Sequence, residues 1–409
     1  MCDLRRCIEA FKTSASLSER LIRWEKPNAS ESRARKSVRL QKGFGPMDDR
    51  RFLARAFQLA KKGLYTADPN PRVGCVLVRD GRILAEGFHR QAGEPHAEAN
   101  ALANATESVV GATAYVTLEP CSFHGRTPAC AEALIKAGIS RVVAAAEDPH
   151  PRNRGAGFER LQAAGIEVIP ALDPEAAERL NPGHMMTHSI GRPFIRLKLA
   201  ATMDGFTALP NGESQWITGP AARLDVQRLR ARSSAIVTGA NTVLVDDPRL
   251  TVRDPNIDAE ISQWLLARAR PVYVLDSKAR TTSAHRIYQN PLAVQVCTDG
   301  SAPTHATSMI TAADETGRVD LVTFCRALAE RGHLELLFEC GPVLAGAMIE
   351  AELVDELIVY LAPKFMGQGM PLLQLPELAK MTDVHAWQIA ETRRVGPDLK
   401  LTLKPSQSE

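Results

Sequence analysis

The sequence has no run of about 20 consecutive apolar residues, the length a membrane-spanning helix requires. Even the apolar stretch "LELLFECGPVLAGAMIEAELV" is broken by Glu, Gly and Pro, so no membrane association is expected. Cysteine is scarce and scattered: eight residues, at positions 2, 7, 75, 121, 130, 297, 325 and 340, in a chain of 409. Without a secretory pattern, such usage suits a reducing, cytoplasmic setting in which thiols fill cores or hold metal. Charge of one sign is also lacking, since the formal net charge is +3. It is concentrated in residues 1–46, where eleven Lys and Arg stand against five Asp and Glu, leaving the remainder mildly acidic. A body of that sign is a poor partner for nucleic acid, whose nonspecific binding depends on clustered cations. There is no internal repeat and no complete G-x-G-x-x-G, because "GAGFER" lacks the last glycine. A Rossmann-type dinucleotide site is unsupported.

What is present is a globular composition, 44% hydrophobic and 24% charged, in a chain long enough for two domains. Residues 1–46 have no sustained apolar period and read as a disordered basic extension. Their five acidic residues argue against an organelle transit peptide. They are expected to be dispensable, with Met47 as the functional beginning.

Over residues 47–190, "MDDRRFLARAFQLAKKG" predicts an amphipathic helix capped by Asp48 or Asp49 and stopped at Gly63. "RVGCVLVRDGRILAEGFH" predicts a hairpin turning at Asp80-Gly81. Helices and strands then alternate through "HAEANALANAT", "GATAYVTLEP", "PACAEALIKAGI", "SRVVAAAEDP" and "GFERLQAAGIEVIPAL". The pattern predicts an α/β/α sandwich. Asn181-Pro182-Gly183 and Gly191-Arg192-Pro193 mark a boundary. A second α/β domain over residues 191–405 is expected, with strands at "PFIRLKLAATMDG", "SAIVTGANTV", "RPVYVLDS" and "VDELIVYLAP" and a helix opened by Pro220.

His96, Cys121 and Cys130 offer one imidazole and two thiolates. Zinc takes such ligands tetrahedrally, and three protein ligands leave a corner for water. Glu98, two residues after His96, can move that water's proton without ligating the metal. This is the logic of zinc deaminases, with their H-x-E and P-C-x-x-C signature. Here "HAE" and "EPC" fit it, although eight residues rather than two separate the cysteines. Three other readings stand beside it: a structural zinc with His124 as fourth ligand, a nucleic-acid or free-base deaminase whose C-terminal domain has another duty, and a zinc-stabilised binding protein without turnover.

In the second domain, "LLFECGPVLAGA" reads as a strand ending at Glu339, a turn at Gly341 and a helix opened by Pro342. The amides at such a helix start can face a phosphate, but the same pattern is also ordinary α/β punctuation.

The runs "NPRVGCVLV", "GFHRQAGEPHAE", "TLEPCSFHGRTPAC" and "DPHPRNRGAG" closely resemble the deaminase half of the bifunctional riboflavin-biosynthesis deaminase/reductase family. "RPFIRLKLAATMDG", "GESQWIT", "VLVDDPRLTVR", "ECGPVLAGAMIEAELVDELIVYLAPKFMG" and "VGPDLKL" resemble its reductase half. The resemblance implies a cytidine-deaminase-like sandwich followed by a dihydrofolate-reductase-like domain. It implies zinc-dependent removal of an amino group from a diamino-pyrimidinone ribosyl phosphate, then NADPH-dependent reduction of the ribosyl group. Asn70, His89 and Arg126 match positions that hold the deaminase substrate. Ala200, Trp216, Thr242, Asp246, Ser277 and the run Gly341, Pro342, Val343, Leu344, Ala345, Gly346 and Ala347 match cofactor positions. Ser214, Arg230, Leu250, Arg253 and Glu339 match reductase substrate positions, with Arg230 and Arg253 as phosphate holders. Trp216 reads equally as a core aromatic, and the residues name no general acid for the reduction. A homo-oligomer, dimer or tetramer, is also implied. The chain departs from the family at Phe123, where His is usual, at His150, where Asn is usual, and at His184, where an aromatic is usual.

Overall fold

The computed structural model of the chain describes residues 46–124, 128–254, 257–258, 262–298, 303–305 and 307–406. The expected extension lies outside them except for Pro46, and so does Arg126.

The N-terminal part runs α1 (Pro46–Ala60), β1 (Gly74–Arg79), β2 (Arg82–Phe88), α2 (Ala97–Ala103), β3 (Thr113–Val116) and α3 (Cys130–Lys136). It continues through β4 (Arg141–Ala144), α4 (Ala156–Ala163), β5 (Glu167–Ile169), α5 (Pro174–Leu180) and α6 (Pro182–Ile190). Its sheet has the order β2-β1-β3-β4-β5, antiparallel at β1 and parallel from β3 to β5.

Successive strand residues point to opposite faces, and β1 shows the consequence. Cys75 and Leu77 pack against α2, α3 and α4 through Ala97, Ala101, Ala131, Leu134, Phe158 and Leu161. Val76 and Val78 meet Phe52, Ala56 and Leu59 of α1 on the other face. The hairpin turns as expected, with Asp80 and Gly81 both at positive φ. Asp48 and Asp49, expected as caps, lie within the first turn of α1. Asp49 is buried and accepts from Tyr115 at 2.7 Å and from Arg141 at 2.8 and 2.9 Å, pinning α1 to the sheet.

The C-terminal part runs β6 (Phe194–Thr202), β7 (Phe206–Ala208), α7 (Pro220–Arg232), β8 (Ala235–Gly239), α8 (Ala240–Asp246), α9 (Ser262–Ala267) and β9 (Val272–Leu275). Then come β10 (Ala293–Thr298), β11 (Ser308–Thr311), α10 (Leu321–Glu330), β12 (Glu335–Glu339), α11 (Pro342–Glu350) and β13 (Glu356–Ala362). β14 (Met370–Pro371), β15 (Trp387–Val395) and β16 (Asp398–Pro405) close the chain. The nine-stranded sheet is ordered β11-β10-β9-β8-β12-β6-β13-β16-β15. It is parallel up to β13 and antiparallel beyond.

Two expectations need correction. "SAIVTGANTV" is not one strand: it changes to helix at Ala240, directly after Gly239. Asn181-Pro182-Gly183 is a helix–helix joint between α5 and α6 rather than an open turn. Asn181 breaks the helix because its side chain serves Arg72, accepting from Arg72 N at 2.8 Å and donating to Arg72 O at 2.9 Å. Among the described residues no helix is long and apolar enough to cross a membrane.

α1 and β1 approach so closely that a Cβ on Gly74 would lie 2.0 Å from the Ala56 carbonyl oxygen. Gly74→Ala should therefore destabilise the N-terminal part by about 2 kcal/mol or more, the cost of overpacking a rigid backbone contact. Urea denaturation followed by tryptophan-independent circular dichroism measures it, and an unchanged midpoint would contradict the packing described.

Candidate functional site: a His/Cys/Cys cluster and a basic cleft

His96 sits at the N-cap of α2, with φ −72° and ψ 170°. Cys130 opens α3, while Cys121 lies in the segment that follows β3. His96 Nδ1 lies 3.6 Å from Cys121 Sγ and 3.3 Å from Cys130 Sγ. The three ligand atoms all fall within 4.8 Å of one another. The Cys130 backbone amide donates to Cys121 Sγ at 3.3 Å. A hydrogen bond from Cys130, then one from His96, holds the Cys121 thiol down to about 4, whereas Cys130 is pushed well up. Two thiols and an imidazole therefore converge where a thiophilic cation would sit. The donor set fits zinc. His124 does not join it: its side chain is exposed and lies 3.5 Å from Glu132, so the four-ligand structural reading finds no support among the described residues.

Glu98, one residue into α2, is buried, and burial first and the Cys121 charge second raise its pKa to about 7. It hydrogen-bonds Cys130. A carboxyl poised near neutrality beside metal ligands can both take and return a proton. His89 stands edge-on to His96, 5.2 Å between ring centres. Its Nδ1 lies 3.2 Å from Pro95 O and its Nε2 lies 3.1 Å from Asn70 Nδ2. Nδ1 thus carries the proton and Nε2 accepts from Asn70. Burial lowers the His89 pKa, which keeps the ring neutral.

Sequence reading passes over the groups that hold this arrangement. Asn100 donates to Phe88 O at 2.9 Å and Pro95 O at 3.1 Å, tying β2 to the start of α2. Buried Glu119, the acid of "EPC", accepts the amides of Asp148, Gly155 and Gly157 at 2.8–3.0 Å and so fixes the approach to Cys121. An acid two residues before the cysteine, at the end of an apolar strand, was the available signal.

The three departures from the family meet in space. Phe123 lies 6.0 Å from His150, His150 lies 4.5 Å from His188, and His188 lies 4.7 Å from His184. His184 Nε2 closes the stack on Asp148 at 2.8 Å, and Arg152 covers Phe123 at 4.3 Å.

The second site is a cleft of about 1530 Å³ at the carboxyl ends of β6, β8, β9 and β12, where open parallel sheets bind ligands. Ala200, Trp216, Thr242, Asp246, Ser277, Gly341, Pro342, Val343, Leu344 and Ala347 line it, as do Ser214, Arg230, Leu250, Arg253 and Glu339. Ala345 and Gly346 do not. Ala345 is buried in the main core, and a Cβ on Gly346 would lie 1.9 Å from Gln374 O, because that side of α11 packs inward. Trp216 is not a core aromatic: it is 60% exposed at the rim, stacked under Arg223 at 4.5 Å. α11 opens on Gly341 with no side-chain cap, which leaves its first amides available to an anion.

Arg230 differs from expectation as well. Its guanidinium is held by Glu339 at 2.6 and 2.8 Å, both side chains being buried, so its fork is already filled. Arg253 is the freer cation. Burial and then Arg230, together with Arg249 and Arg286, depress its pKa, a mutual repulsion that a phosphate would relieve. Lys198, which sequence reading misses, also lines the cleft. Burial lowers its pKa, against the opposing pull of Glu339. Its signal was a second cation, beside Arg196, in a mostly apolar parallel strand.

Comparison with known proteins decides the family. The cytidine and deoxycytidylate deaminase zinc-binding region matches residues 46–146, and the RibD C-terminal domain matches residues 193–401. The riboflavin biosynthesis protein RibD of Escherichia coli K12 is 48% identical over 365 residues, covering 87% of this chain and 99% of that protein. The chain belongs to the RibD family. It is thus a bifunctional enzyme of riboflavin biosynthesis with a deaminase and a reductase domain. The Haemophilus influenzae RibD is 43% identical, covering 87% of this chain and 96% of that one. Among solved structures, Acinetobacter baumannii RibD superposes with a TM-score of 0.81 at 38% identity, over 89% of this chain and 100% of that one. A Thermotoga maritima diaminohydroxyphosphoribosylaminopyrimidine deaminase/5-amino-6-(5-phosphoribosylamino)uracil reductase gives 0.77 at 32%, over 88% and 99%.

Within this RibD deaminase domain the histidine stack has a pH signature. Burial first, then the neighbouring His184 and His150, lowers the His188 pKa to about 4, against a usual value near ~6.5. Between those values the unfolded chain binds the additional proton, so stability rises with pH across the window and is lost as pH falls from about 6.5 to about 4. Equilibrium unfolding measured across that range should show a shallower loss in His188→Phe, and identical pH profiles would contradict the assignment.

Proposed function

We propose that the deaminase domain hydrolyses the 2-amino group from 2,5-diamino-6-(5-phosphoribosylamino)pyrimidin-4(3H)-one. The reductase domain then uses NADPH to reduce the ribosyl group of the product to ribityl. The observation that carries the reading is the presence in one chain of two unlike sites. One is a His/Cys/Cys cluster with a buried acid; the other is a long cleft headed by an uncapped helix start. The name of the Thermotoga protein, which states both activities, supports it.

His96, Cys121 and Cys130 would hold one zinc ion per chain. Bound there, zinc supplies the Lewis acidity that makes water a nucleophile at neutral pH. Glu98 would take a proton from the attacking water and give it to the departing amine, which would leave as ammonia. His89, neutral and with its Nε2 facing Asn70, holds the pyrimidine together with Asn70. Arg126 is proposed at the substrate phosphate on the strength of the resemblance alone.

In the reductase domain the first amides of α11 would receive the cofactor's phosphates, and Thr242, Asp246 and Ser277 line the same cleft. The nicotinamide supplies a hydride to C1 of the ribosyl group. Arg253 binds the substrate phosphate, Arg230 and Glu339 orient each other, and Lys198, which lines the same cleft, is a candidate to give a proton to the opening sugar. A homo-oligomer is consistent with β15, an edge strand whose side chains are exposed from Gln388 to Arg394. Such an edge is a template for pairing.

Glu98→Gln should lower ammonia release by about 10²–10⁴-fold, the weight of a positioned acid–base group. It should retain zinc and oxidise NADPH normally when given the deaminated substrate. Retained ammonia release would contradict the role of Glu98. Arg253→Ala should raise the reductase KM by about tenfold or more, from loss of a charge-assisted contact, and leave deamination as it was. Equal loss of both activities would argue against two independent sites.

A further inference from the structure

Asn70, proposed above to hold the deaminase substrate, stands on the irregular segment between Leu64 and Val73 that joins the turn after α1 to β1. A segment without regular structure has few hydrogen bonds of its own, so its position depends on what surrounds it. Within its own domain the backbone turns on itself, with Leu64 N on Lys61 O, Thr66 N and Ala67 N on Gly63 O and Asn70 N on Ala67 O at 2.9 Å; outward it has Thr66 Oγ1 on Arg90 O, Asn70 Nδ2 on His89 Nε2, Arg72 Nη1 on Leu180 O at 3.1 Å and the two bonds between Arg72 and Asn181.

Further partners come from the reductase domain. Ser234 Oγ donates to Asp68 Oδ1 at 2.5 Å, and Arg268 reaches Asp68 O at 3.3 Å and Asp68 Oδ2 at 3.4 Å. Arg270 donates to Tyr65 O at 3.0 Å. The Arg72 guanidinium bonds the Glu335 carboxylate and reaches Arg232 O at 3.4 Å. Ser234 is itself placed by β12, since its Oγ accepts the amides of Leu334 and Glu335 at 3.1 Å. Asp68 and Arg72 flank Asn70 by two residues on either side, and each is held from across the domain boundary.

We infer that the reductase domain is part of the deaminase substrate site: through Ser234, Arg268 and Glu335 it fixes Asp68 and Arg72, which position Asn70 against His89. Asp68 and Arg72 are positioning residues, because neither is placed at the metal cluster or at His89. Their loss loosens the grip on the pyrimidine without touching the proton transfer by Glu98. This inference rests on the deaminase reading given above.

The test uses the full-length, zinc-loaded protein, with ammonia release from the diamino-pyrimidinone ribosyl phosphate and NADPH oxidation started from the deaminated compound. Asp68→Ala and Ser234→Ala should each raise the deaminase KM about tenfold, the weight of a lost hydrogen bond to a charged group. A change in uniform binding leaves kcat within about twofold. Zinc content and both reductase constants should stay as in the parent protein. The double variant should be no worse than the worse single one, because the two side chains act as one contact.

A deaminase KM unchanged in both single variants overturns the inference, and so does a parallel fall of zinc content and both activities in soluble, folded protein. Should the buried variants misfold, Arg268→Ala decides, since that side chain is 31% exposed. A raised deaminase KM there supports the inference and an unchanged one overturns it. Absence of ammonia release from the parent protein would instead sink the deaminase reading itself.

Discussion

Burial works against a carboxylate, and Glu335, at the start of β12, is almost wholly buried. Burial pushes its pKa up, but Arg72, Arg196 and Arg232 outweigh that effect and hold the carboxyl well below the usual range. Arg196 is itself buried and shared with Glu356 at 2.7 Å. Charges of this kind tolerate no vacancy, because removing one partner leaves another uncompensated in a dry interior. The two halves of the chain are thus registered by a charge set as well as by apolar contact. The same strand ends at Glu339, which orients Arg230 in the reductase cleft. At a rise of ~3.3 Å per residue, about 13 Å separates the interdomain carboxylate from the one in the cleft.

Both sites use burial to set protonation, in opposite directions. In the deaminase domain it raises Glu98 to about 7 and lowers His89, giving an acid that can exchange its proton and a ring that stays neutral. In the reductase domain it lowers the pKa of Lys198. A nearby opposite charge limits each shift: His96 for Glu98, Glu339 for Lys198. Geometry supplies the rest. The thiols of Cys121 and Cys130 come together because Glu119 anchors one end of their loop and α3 begins at the other.

The deaminase centre is largely legible in the sequence, because an acid two residues after a histidine and two cysteines at segment starts have no packing task to explain them. The sandwich is legible too, since β1 is a continuous apolar run, as expected of a strand covered on both faces. What sequence hides is pairing across the fold. Arg230 resembles a free phosphate holder until Glu339 is seen facing it. Ala345 and Gly346 fall within a continuous motif, but a helix turns them away from the cleft while Gly341 and Leu344 face it. Phe123, His150 and His184 look like three separate departures and form one stack. The grip of Ser234 and Arg268 on Asp68 joins residues more than 160 positions apart, which no local pattern reveals.

The central claim is that one chain carries out both steps in order. The most direct test mixes purified, zinc-loaded protein with NADPH and the diamino-pyrimidinone ribosyl phosphate, and follows ammonia and NADPH together. The account predicts ammonia release followed by an equal amount of NADPH oxidation, with no oxidation when zinc has been removed. NADPH oxidation from the undeaminated compound in the zinc-free protein, or ammonia without any oxidation, would contradict it.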